Sequence, residues 1–159
     1  MFSLKKQMTS ASNKSRGFTI VELLIVIVVI GILATLVIVT FSGIQQKGRD
    51  SQRKTDINAV ASHVSAYYAD KGYYPTMADL NNATWRTTNA KGLDPEALKD
   101  PKATAATIAA ATSATAYGYT ASGGTCDNTA ASSDTNACSA FTLSATLESD
   151  GSTYTKQSN

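Results

Sequence analysis

Residues 18–41 form a run of twenty-four positions, rich in isoleucine, valine and leucine, that holds a single charge, Glu22. As one helix it extends roughly 36 Å at about 1.5 Å per residue. That exceeds the roughly 30 Å hydrocarbon core of a bilayer, so the run reads as one tilted membrane crossing. In a chain of 159 residues the remaining length leaves room for one small globular domain. Lys5, Lys6, Lys14 and Arg16 precede the run, with no acidic residue among the first 17, which holds the amino terminus in the cytoplasm and sends the rest outward. Lys47, Arg49, Arg53 and Lys54 lie beyond its far end and pull the other way. With residues 1–17 set aside, 10 basic residues face 12 acidic ones, so there is no broad basic face for a phosphate backbone.

The polar, basic residues 1–17 read as a targeting segment. An ordinary secretory signal pairs a shorter apolar stretch with a small-residue cleavage site after it. Here the run is long and no such site follows, so the apolar helix is expected to stay in the exported chain.

Residues 45–56 are polar, and then Ile57, Val60, Ala61, Val64, Tyr67 and Tyr68 return at three- and four-residue spacing, the mark of an amphipathic helix face. Gly72 suits a left-handed cap and Pro75 cannot continue a helix. One helix over 19–71 is predicted, with Gly43 and Gly48 as its soft point, glycine costing about 1 kcal/mol relative to alanine. Thr76 with Asp79 predicts a capped turn, and Asp94-Pro95-Glu96 a brief helix ending before Pro101. Residues 102–116 are almost wholly Ala, Thr and Ser around Ile108 and fit loop or helix equally. Alternation at Tyr117 and Tyr119, and at Phe141, Leu143, Ala145 and Leu147, predicts strands facing a common core. Ser149, Asp150 and Gly151 predict a turn before a last strand around Tyr154. The predicted fold class is α+β: a long N-terminal helix packed on a small C-terminal antiparallel sheet.

Candidate chemistry is sparse. Cys126 and Cys138 lie in the part expected outside the cytoplasm, where a disulfide persists, and they enclose a loop too polar to collapse unaided. Closing it contributes about 3 kcal/mol in the chain-entropy view. Zinc needs three or four ligands and the chain has one distant histidine, so no metal site is expected. Asp127, Asp134 and Asp150 lack EF-hand spacing for calcium. His63 sits between apolar helix positions with no nucleophile paired to it, and Trp85 and the tyrosines read as packing. Asn82-Ala83-Thr84 matches a glycosylation sequon short enough to arise by chance. No acid, base and nucleophile set can be assembled, so neither an enzyme nor a cofactor is predicted. Glu22 stands apart, because a carboxylate inside an apolar run is costly unless paired.

The segment Arg16-Gly17-Phe18-Thr19-Ile20-Val21-Glu22-Leu23-Leu24 resembles the type IV prepilin family, and residues 49–75 look like the outer half of a pilin's first helix. The resemblance implies cleavage between Gly17 and Phe18 by a membrane prepilin peptidase, with N-methylation of Phe18. It also implies that residues 1–17 are the leader, 18–41 the transmembrane and assembly half of the helix, and 42–159 a soluble head. Family members often carry a proline within the apolar run, where this chain has Val39, and Gly31 keeps local melting open. A freed amine at Phe18 would meet Glu22 of its own chain or of a neighbour, making Glu22 the assembly residue. The Cys126 to Cys138 loop resembles an exposed contact surface. The implied partners are copies of itself and other pilins, the prepilin peptidase, an assembly ATPase and a platform protein. Nucleic acid enters only for a competence pilin. The implied course is from single-pass membrane protein to extracellular filament. A secretion or competence pseudopilin is the nearest alternative, and a single-pass anchored binding module that never polymerises is the alternative from another class.

Overall fold

The computed structural model describes residues 17–158, so the leader cations Lys5, Lys6, Lys14 and Arg16 lie outside the described residues. The chain divides into two compact units between Thr40 and Phe41. Helix α1 (Ile20–Lys71) matches the predicted limits and stays helical through Gly43 and Gly48. Gly72 follows it at φ +81°, a left-handed conformation that glycine adopts without steric cost.

Up to Thr40, α1 buries nothing. Its large apolar side chains are all exposed, the most shielded, Val29, at 47%. It is long and apolar enough to cross a membrane. The hydroxyls of Thr35 and Thr40 donate back to the carbonyls of Ile32 and Leu36 at 2.7 and 2.9 Å, so these polar groups are satisfied within their own helix.

In the second unit one stripe of α1 is buried: Asp50, Arg53, Ile57, Val60, Val64 and Tyr67. Steps of three and four keep these six on one face. Ile57, Val60 and Val64 share a core with Leu80, Leu98, Tyr119, Phe141 and Leu143, where each fully buried side chain contributes about 1.5–3 kcal/mol. Helix α2 (Met77–Asn81) begins in the expected Thr76/Asp79 capping box. Helix α3 (Ala83–Asn89) was not anticipated; its cap is Asn82, the sequon residue left without a role, whose Oδ1 accepts from Trp85 N at 3.1 Å. A 3₁₀ turn (Pro95–Leu98) follows, capped by Asp94 with proline in its first turn.

Strands β1 (Gly118–Ser122), β2 (Ala140–Thr146) and β3 (Thr153–Gln157) form an antiparallel sheet in the order β1-β2-β3. Phe141, Leu143 and Ala145 face inward as their alternation predicts, and Gly151 takes φ +70° in the turn before β3. Residues 102–116 resolve as loop. Asn81 clamps Ile108 there, its Nδ2 donating to the Ile108 carbonyl and its Oδ1 accepting from the Ile108 amide, both at 2.9 Å. Gly118 lets this loop lie against β1, because a side chain there would collide with the backbone of Thr112. The fold is α+β and pilin-like, with a three-stranded antiparallel sheet.

Candidate functional site

The candidate processing and assembly segment opens α1. Gly17 and Phe18 precede the helix and are exposed, Phe18 at 87%. Thr19 caps the helix, and Glu22 completes a capping box with it. Glu22 Oε2 accepts from Thr19 N and from Thr19 Oγ1, both at 2.8 Å, while Thr19 Oγ1 accepts from Glu22 N at 3.2 Å. Two amide donors left over at the helix start are thereby satisfied, and the carboxylate sits where the helix dipole favours negative charge. The signal for this box, Thr-x-x-Glu ahead of an apolar run, stands in the sequence at residues 19–22. Only one carboxylate oxygen is engaged. Oε1 has no hydrogen-bond partner among the described residues and remains available to a cation.

The second unit holds Cys126 and Cys138, joined in a disulfide with Cα atoms 4.6 Å apart. Tyr74 N donates to the Cys138 carbonyl at 2.8 Å, tying the bridge to the chain just after α1. The loop is internally braced. Asn136 Nδ2 donates to the Asp127 and Ala131 carbonyls at 3.0 and 2.9 Å, and Asn128 Oδ1 accepts from Met77 N and Ala121 N at 2.9 and 3.1 Å. Among the described residues no His, Cys, Asp and Glu side chains group as a metal site.

A further cluster was illegible in the sequence. Arg53, fully buried, donates through Nε and Nη2 to Asp100 at 2.7 and 3.0 Å and through Nη1 to Asp50 at 2.9 Å. Its Nη2 also lies 2.7 Å from Glu148, which meets Arg49 and Lys102 at 2.7 Å each. Asp50 in turn accepts from the backbone amides of Glu148 and Ser149 at 2.7 and 2.9 Å. Burial alone would raise Asp50, but those two amides and Arg53 outweigh it and hold the carboxyl at about 2. Glu148 is held well below the usual carboxylate range, chiefly by Arg49. Burial works against the charge on Arg53, and Asp100 and Glu148 override it. Three cations balance three carboxylates, and no buried side-chain polar atom among the described residues lacks a partner.

An uncovered apolar helix opened by a Thr19/Glu22 box is thus joined in sequence to an α+β unit with a disulfide loop. Residues 12–38 match the family model for the prokaryotic N-terminal methylation motif. The chain is 39% identical over 66 residues to type II secretion system core protein G of Escherichia coli K12, covering 42% of this chain and 46% of that protein. It is 36% identical over 64 residues to core protein G of Vibrio cholerae, covering 40% and 44%. With the type IV major pilin protein PilA of Myxococcus xanthus it shares 35% over 66 residues, covering 42% and 30%. The matches thus span less than half the length of these relatives. No solved structure matches. The likeness lies in the N-terminal part of the chain, which carries the methylation motif and is similar there to a type IV pilin and to type II secretion core proteins.

Proposed function

We propose that this chain is the precursor of a structural, non-catalytic subunit of a type IV pilus or pseudopilus. A prepilin peptidase cuts between Gly17 and Phe18 and methylates the new amine. The mature subunit waits in the membrane with its head outside the cytoplasm, and an assembly ATPase working through a platform protein moves it into a filament with its copies and other pilins. The observation that carries this reading is the uncovered apolar half of α1, which begins inside the methylation-motif match. Leaving lipid, so much apolar surface must be covered again, and helices of identical subunits supply that cover. In this reading the free oxygen of Glu22 accepts from the Phe18 amine of its own or an adjacent subunit, and the hold of Thr19 on the other oxygen supports it. Where water is excluded a mismatch there is costly, so the pair sets axial register.

Mass spectrometry of the mature chain is expected to find a methylated Phe18 at its start. Electron microscopy of sheared cells is expected to find filaments with wild-type protein and none with Glu22→Ala. A chain that keeps Met1 and never sediments as a polymer would instead mark a single-pass anchored binding module. The core protein G relatives favour a secretion pseudopilus and the Myxococcus relative a surface pilus, a difference that filament length in the same micrographs separates.

A further inference from the structure

Beside the core of the second unit runs an open groove of about 600 Å³, between the outer face of α1 and the adjoining ends of β2 and β3. We infer that this groove binds a saccharide. Apart from Lys156 its polar lining is uncharged: Asn58, Ser62 and Ser65 from the helix, and Ser139, Gln157 and Ser158 from the sheet side. The side-chain amide nitrogens of Asn58 and Gln157 and the hydroxyls of Ser65 and Ser139 make no hydrogen bond to any described residue, so four groups able to donate or accept stand open along one trough. Within it lies an aromatic platform. Tyr68, 40% exposed, is stacked on buried Tyr74 with ring centroids 4.3 Å apart and planes 21° from parallel, which fixes the exposed ring rigidly.

These two features suit a sugar. Its hydroxyls exchange hydrogen bonds with amides and alcohols, and its C–H face lies flat on an aromatic ring, as an amphipathic surface requires. The size is that of small-molecule sites generally. Lys156 is the only charged side chain in the lining, and no carboxylate joins it. A neutral sugar is therefore accepted, and a cationic one meets an ammonium with no counter-charge. Nothing in this inference depends on polymerisation.

Saturation-transfer NMR on the full-length chain in a detergent without a sugar headgroup tests it. The probes are chitotetraose, whose amines are acetylated, and the deacetylated tetramer at mildly acidic pH, where those amines are charged. Saturable binding of chitotetraose is expected with a dissociation constant on the order of 1 mM, as befits an open site with few contacts. Tyr68→Ala, which removes an exposed ring, should weaken it roughly tenfold, and Ser65→Leu, which fills the trough, should abolish it. The thermal midpoint of each variant, read by circular dichroism, confirms that the head is intact. The inference is overturned if wild type gives no saturable signal, if folded Tyr68→Ala and Ser65→Leu bind like wild type, or if the cationic tetramer binds as well as the acetylated one.

Discussion

The two units solve the same problem, polar groups among apolar ones, in opposite ways. Up to Thr40 the polar side chains of α1 bond within about one helical turn, one oxygen of Glu22 with Thr19, Thr35 with Ile32 and Thr40 with Leu36. Past Phe41 the counterpart is Arg53, which reaches Asp100 47 residues on, while Asp50 binds amides 98 and 99 residues away. Bonds closed inside a helix survive a change of neighbours, so the first unit keeps them whatever surrounds it. Bonds closed across the chain permit a single arrangement, and they fix the second unit.

The sharpest way to break this contrast is Arg53→Ala, which leaves the buried carboxylates of Asp50 and Asp100 without the cation they share and should cost about 3–5 kcal/mol of head stability. Denaturant melts followed by near-UV circular dichroism would show the loss, while membrane insertion stays as in wild type. Cys138→Ser should cost about 3 kcal/mol in the same melts, again without touching insertion. The converse change, Val28→Asp, should cost about 2.5–3.5 kcal/mol of insertion, read as protein released by alkaline extraction, and leave the head melt unchanged. Acid probes the cluster more gently. Asp50 and Glu148 sit below their unfolded values near 4, so the stability they contribute is complete above about pH 5 and is lost as pH falls toward 2. The head's thermal midpoint should fall over that window, and less steeply in Arg53→Ala. Asn82→Ala, which uncaps α3, should cost only about 1 kcal/mol.

Legibility follows the same division. The limits of α1, the Thr76/Asp79 cap, the inward face of β2 and the turn at Gly151 are set by neighbours a few residues apart, and each could be read from spacing. Gly17, Phe18 and Glu22 were legible as a motif and remain proposals as a site. The ion cluster was not legible, since its members lie far apart in sequence and charged residues count as surface in any apolar periodicity. Yet Asp50 and Arg53 continue the spacing of Ile57, Val60 and Val64. A reader of the stripe who allowed charges on it would have found both. Helix α3 escaped because its seven residues carry no apolar period and none is buried.

The bracing of the disulfide loop has a consequence for how this protein can diversify. Asn128 and Asn136 hold the loop from within, while Asp134, Thr135 and Thr129 point into solvent. Lineages can therefore repaint the outward positions freely, provided that two amides and two sulfurs keep their places. The loop behaves as an interchangeable badge on a permanent clasp.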